Sequence, residues 1–206
     1  MDTFSIVFVC TGNRFRSPLA EAFVRRLTLG LPVTTDSYGT LDVGRAPALR
    51  EAVEIAQACG VDLSLHRTRQ VGQSSLADVD LLIGFEQAHV RLAVVDGDAP
   101  RSRSFTLGEF VRLLPTVEIA EQGRVVERAR EIVHKLDNFR ATAARASVSD
   151  ETPDPFGGAW NTYRATAADI RESSILLAAA LFGATNTRGL PPVPTRRNRQ
   201  IGFWRR

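Results

Sequence analysis

The stretch Ser5–Phe23, SIVFVCTGNRFRSPLAEAF, decides how the rest of the chain is read. An apolar run stops at Cys10, a short polar turn carries Arg14 and Arg16, and a helical pattern starts at Ser17-Pro18. Thr3–Cys10 is rich in β-branched and aromatic residues and reads as a strand buried on both faces. Ser17–Leu29 reads as a helix, with Ser17 as N-cap candidate and Pro18 at the first helical position, where its missing N–H is harmless. Gly30 closes it.

Outward from this unit, Val33–Ser37 is a second strand and Ala46–Gly60 a helix. Val79–Phe85 is a third strand, followed by a helix from Glu86, and Arg103–Leu107 is a short fourth. A charged helical pattern at Gly123–Ala146, the turn SDETPDPFGG and a last helix over Asn161–Phe182 complete the chain's body. Strands alternating with helices predict an α/β fold: a doubly wound four-stranded parallel sheet with helices on both faces. Such sheets carry their sites at the carboxyl ends of strands, where Cys10 stands.

The chain has 206 residues, 44% of them hydrophobic, enough for one domain with a sizeable core. The longest apolar runs, Ile6–Cys10 and Ile175–Phe182, are too short to cross a bilayer. No basic-then-apolar leader precedes Phe4, so a soluble, cytoplasmic protein is expected. Cys10 and Cys59 do not make a disulfide framework. The net charge of +3 is unevenly spread: residues 185–206 carry six arginines and no acid, leaving the body acidic. With no basic stripe on the body, no nucleic-acid partner is expected.

Between strand and helix, Cys10 lies six residues before Arg16. If the chain wraps there, the N–H groups of Thr11–Arg16 converge at a helix N-terminus and form an anion cradle. Gly12 and Asn13 are types that tolerate positive φ in such a turn. A cysteine at its floor is expected to have its pKa pulled below the usual value of about 8.5, leaving a thiolate able to attack phosphorus. Arg16 can hold a phosphoryl group through two parallel hydrogen bonds, and Ser17 can donate to the thiolate. The spacing alone also arises by chance in an arginine-rich chain, and a free cysteine is often only a small buried hydrophobe. The strand before the turn and the Pro-started helix after it favour catalysis.

At these residues the chain resembles the low-molecular-weight protein tyrosine phosphatase family, in order from Phe4 to about Phe182. The resemblance implies a phosphomonoester hydrolase that works through a cysteinyl phosphate, without metal or organic cofactor. It implies that Ser37 in TDSYGT braces the loop through Asn13, and that GVDLSLHRTRQV supplies a bracing His66 followed by Arg69. VDLLIGFEQAH matches a strand ending in an acid, here Glu86 where the family usually has aspartate. PDPFGG matches the late Asp-Pro, making Asp154 the general acid. The chemistry asks for such an acid, because an alkyl or aryl oxygen leaves poorly as an anion.

The chain departs from the family at several points. Phe15 stands where many members have a second, protective cysteine, and Arg14 where a small or aliphatic residue is usual. Related arginine phosphatases carry threonine at that position, and a cation there should repel a guanidinium. The substrate wall is reduced to Leu41, Asp42 and Phe156, the last able to stack on a phenyl ring. The expected partner is a phosphorylated substrate, a phosphotyrosine protein in the first instance.

Two other readings share the cradle: a phosphate-sensing module without turnover, and an arsenate reductase. The second lacks downstream resolving cysteines, Cys59 reading as core packing. Residues 1–184 form the expected phosphatase domain, with a helical insertion near 118–147 that suggests an oligomer contact or a lid. Residues 185–206 form a basic tail. Its LPPVPTRR suits an aromatic groove and its IGFWRR an anionic membrane or a partner; a solvated tail or a strap over its own domain is the plainer expectation.

Overall fold

The structure, a computed structural model, describes residues 2–118, 123–142 and 150–196. Four parallel strands, β1 (Phe4–Cys10), β2 (Val33–Gly39), β3 (Leu81–Gly84) and β4 (Ser104–Thr106), are arranged in the order β2-β1-β3-β4. Parallel neighbours need crossovers, supplied by α1 (Arg16–Leu27), α2 (Arg50–Ala58) and α3 (Gln87–Asp96). The chain leaves β1 for β2 on one side and later returns to β3 on the other. The carboxyl end of β1 is therefore the switch point, where a crevice opens.

Alternation along the strands sorts side chains to the two faces. Phe4, Ile6, Phe8 and Cys10 of β1, with Leu81, Ile83 and Phe85 around β3, enter the larger core against α1, α2 and α6 (Trp160–Phe182). Val7, Val9 and Leu82 enter a smaller one under α3, with Val71, Leu76 and Ala93. Cys59 lies in the larger core, and burial pushes its thiol pKa up to about 11. No described helix is long and apolar enough to cross a membrane.

Three local expectations are corrected. α2 begins at Arg50 rather than Ala46, because Pro47 holds the preceding backbone extended and Pro47 pairs with Arg67 as an isolated bridge. α1 begins at Arg16, so Ser17 is not its N-cap; Phe15 holds that position without a side-chain hydrogen bond. A helix absent from the sequence reading, α4 (Leu107–Leu113), follows β4 at once, with Thr106 and Glu109 closing its first turn reciprocally.

The charged pattern becomes α5 (Val125–Thr142). Its apolar face, Val126, Ala129, Ile132, Val133 and Leu136, is buried in the larger core, and Arg130 ties it to Asp80 and Asp2. That packing makes α5 part of the domain's own wall; residues 143–149, at the end of the expected helix and the start of the turn, lie outside the described residues.

After α6 the chain turns at Gly183, φ +67°, and runs back over the body. Leu190 is 0% exposed, Arg26 Nε donates to the Gly189 carbonyl (3.1 Å), and Arg171 Nε to the Pro191 carbonyl (2.9 Å). A groove reading LPPVP in full would have to draw Leu190 out of the core. The IGFWRR segment lies outside the described residues.

Candidate active site

Residues 10–16 wrap at the carboxyl end of β1 around a cavity of ≈ 170 Å³. Asn13 takes the left-handed conformation, φ +50°, whereas Gly12 does not, so the positive-φ demand falls on the asparagine alone. Every polar group of that side chain is used. Nδ2 donates to Ser17 Oγ (2.9 Å) and Ser37 Oγ (2.8 Å), and Oδ1 accepts from the Arg69 N–H (3.0 Å). Ser37 in turn donates to Glu21 (2.6 Å), and His66 Nε2 donates to the Asn13 carbonyl (2.7 Å). Burial of His66 lowers its pKa, against the opposing pull of this contact to the Asn13 carbonyl.

β2 ends at Gly39, whose absent side chain lets the loop close: a Cβ there would meet the Thr11 carbonyl oxygen at 2.9 Å and the Asn13 nitrogen at 3.0 Å. Both are backbone atoms of the cradle, so the loop itself has to move. Gly39→Ala is expected to destabilise the protein by about 1–3 kcal/mol and to lower phosphatase activity more than the stability loss explains. Urea unfolding and turnover measured on the same preparation check this.

Ser17 serves the site instead of the helix end. Its Oγ lies 3.1 Å from Cys10 Sγ, and because Asn13 Nδ2 occupies one of its lone pairs, its proton is left for Cys10 or the Tyr38 carbonyl (3.3 Å). Phe15 is buried and packs edge-on against Tyr163 of α6, with centroids 5.1 Å apart. It supports the loop as an apolar wedge.

Arg16 is 1% exposed yet carries its charge at the cavity wall. One edge of the guanidinium is held by Glu86 and by the Thr152 carbonyl (2.9 Å); the other donates to Thr11 Oγ1 (3.0 Å) and Asp154 Oδ2 (2.6 Å). Buried charge is tolerated only when paired and hydrogen-bonded, and here two carboxylates and two neutral acceptors do both. The Asp154 turn is brought here from 138 residues away by tethers at the end of β3: Thr152 N–H to the Phe85 carbonyl (2.8 Å) and Gln87 N–H to Glu151 (2.9 Å).

The cavity mouth is apolar. Leu41 is 56% and Phe156 70% exposed, and Val43 and Leu49 extend the collar. Asp42, expected in this wall, is not among the cavity-lining residues; its carboxylate caps the next turn by accepting from the Gly44 N–H (2.9 Å). Arg14 does line the cavity, its Nε donating to the Pro47 carbonyl (3.0 Å).

His89, on α3, was missed in the sequence. It is 2% exposed; Nδ1 accepts from the Glu86 N–H (3.0 Å), and Nε2 reaches Thr11 Oγ1 (3.0 Å). Burial, reinforced by Arg16, lowers its pKa to about 4 against the opposing pull of Glu86 and Asp154. The only sequence signal was an acid at a helix start with a polar partner three residues on.

A model of the family described as low molecular weight phosphotyrosine protein phosphatase matches residues 5–121, a span holding Cys10, Arg16, Glu86 and His89 but ending before Asp154. The low molecular weight protein-tyrosine-phosphatase Etp of Escherichia coli (strain K12) is 33% identical over 132 residues, 64% of this chain and 86% of that protein. The protein-arginine-phosphatase of Bacillus subtilis (strain 168) is 31% identical over 108 residues, 52% of this chain and 71% of that one. Among solved structures, a cysteine-to-serine mutant of the arginine phosphatase YwlE with a phosphorylated active-site serine aligns with TM-score 0.59. It is 26% identical, covering 85% of this chain and 93% of that one.

Proposed function

The chain belongs to the low molecular weight phosphotyrosine protein phosphatase family, and from that membership we propose that it hydrolyses tyrosine phosphate esters in proteins through a cysteinyl phosphate on Cys10. The observation that carries the reading is the buried Arg16 guanidinium, oriented by Glu86 and Thr152 on one edge and turned with the other toward a cavity it shares with Cys10 and Asp154. In the first step the thiolate attacks phosphorus, the S–P bond forms, the P–O bond to the phenol breaks, and Asp154 gives its proton to the departing oxygen. Arg16 follows the equatorial oxygens, exchanging Asp154 for the phosphoryl group. In the second step water attacks phosphorus, Asp154 takes its proton, and the S–P bond breaks, with the Ser17 hydroxyl donating to the leaving thiolate.

The apolar mouth supports this substrate class. Leu41, Val43 and Phe156 present an apolar collar to an aromatic ring. Arg14 places a cation at the cavity against any substrate bearing a guanidinium, which supports tyrosine phosphate over arginine phosphate despite the kinship with an arginine phosphatase. Phosphate release from matched phosphotyrosine and phosphoarginine peptides tests this, with kcat/KM expected to be at least about tenfold higher for phosphotyrosine, equivalent to roughly 1.4 kcal/mol. A preference for phosphoarginine overturns the substrate class, and release from neither peptide overturns the activity.

A further inference from the structure

We propose that His89 is a positioning residue for phosphoryl transfer, acting through the Thr11 hydroxyl; the inference rests on the activity proposed above. The hydrogen-bond inventory dictates the role. A backbone N–H can only donate, so His89 Nδ1, which receives the Glu86 N–H at 3.0 Å, is unprotonated and the ring proton sits on Nε2. Nε2 then donates to Thr11 Oγ1 at 3.0 Å. Thr11 Oγ1 accepts a second hydrogen bond from Arg16 Nη2, also at 3.0 Å. Both lone pairs of the hydroxyl are thereby occupied, and its own proton is the one group it has left to offer.

Thr11 lines the cavity beside Cys10 and Arg16. A hydroxyl free to rotate can accept as readily as donate, and toward an anion half of that freedom is counterproductive. With its acceptor sites filled by His89 and Arg16, Thr11 is left a donor only, the polarity that a phosphoryl oxygen gaining negative charge requires. The depressed pKa of His89 keeps the ring neutral at ordinary pH, so it retains both an acceptor for Glu86 and a donor for Thr11. The ring also joins two parts of the Arg16 cage, since Glu86 pairs with one edge of the guanidinium and Thr11 with the other.

A double-mutant cycle on His89→Ala and Thr11→Val tests the coupling. His89→Ala is expected to lower kcat for p-nitrophenyl phosphate about tenfold or more with KM changed less than threefold, and to cost less than twofold further when Thr11 is already valine. His89→Gln, whose amide can still donate to Thr11, is expected to recover most of the loss. It also keeps the test informative where alanine impairs folding. Multiplicative losses in the double variant, or full activity in His89→Ala, overturn the proposal. The same cycle is read on the affinity for vanadate, a mimic of the transition state, by calorimetry and independent of turnover. A wild-type protein that fails to hydrolyse p-nitrophenyl phosphate counts against the activity, and coupled or uncoupled vanadate affinities still decide the role of His89.

Discussion

Replacing Cys10 with serine is expected to remove at least about 10⁴ of the turnover of p-nitrophenyl phosphate, a change of roughly 5.5 kcal/mol in barrier. The size follows from what surrounds the sulfur. Among the described residues, the side-chain partner within hydrogen-bond distance of Cys10 Sγ is Ser17 Oγ, an alcohol and no base, so nothing beside the nucleophile would activate a serine in its place. Sulfur is intrinsically the far better nucleophile toward phosphorus, whereas a serine hydroxyl with no base beside it is a poor one. The substitution is nearly isosteric, and the contact to Ser17 survives it, so the unfolding midpoint should barely move. Steady-state kinetics with chelator present, alongside thermal melts, measure both; a variant retaining a tenth of wild-type turnover sinks the cysteinyl mechanism. Turnover is the quantity to read, since a related enzyme with this exchange holds a phosphoryl group on its serine.

Asp154→Ala should divide substrates by leaving group. General acid catalysis is worth about 10²–10⁴ where the departing oxygen is basic, so an alkyl or tyrosyl phosphate should lose a few hundredfold and an activated nitrophenyl ester about tenfold. A second effect runs in the opposite direction. Asp154 Oδ2 sits 2.6 Å from Arg16 Nη2, the edge of the guanidinium that a phosphoryl group would take. Removing the carboxylate removes a competitor and a repelling charge, so inorganic phosphate should inhibit the variant more strongly than the wild type. Equal rate losses across the leaving-group series, or weaker phosphate inhibition, would show that Asp154 neither gives up a proton nor contests Arg16.

The first strand, the loop and the opening helix were legible because each carries a strong local signal: an apolar run, a C-x5-R turn and a proline just inside the helix. Roles that depend on contacts between distant segments were not. Ser17 looks like an N-cap in one dimension; in three, Asn13 and Cys10 claim its hydroxyl and the helix starts a residue earlier. Asp42 looks like a wall residue by its place after SYGT, but its carboxylate serves the neighbouring turn. Glu21 and His89 are ordinary residues in helical patterns until Ser37 and Thr11 are brought beside them. α4 is too short for periodicity to declare it, and only the Thr106–Glu109 pair announced its start.

The strap at Gly189–Pro191 has a geographical consequence. α1 runs from Arg16 in the cavity wall to the turns around Arg26, where the strap is fastened, and ten helical residues separate the two by about 15 Å. The domain therefore has a front and a back, with catalysis at one pole and the moorings of its C-terminal segment at the other. Gly189 and Pro191 are held at the back, away from the cavity mouth. Cutting the chain before Leu190 takes a stopper out of the core rather than trimming an ornament from the surface.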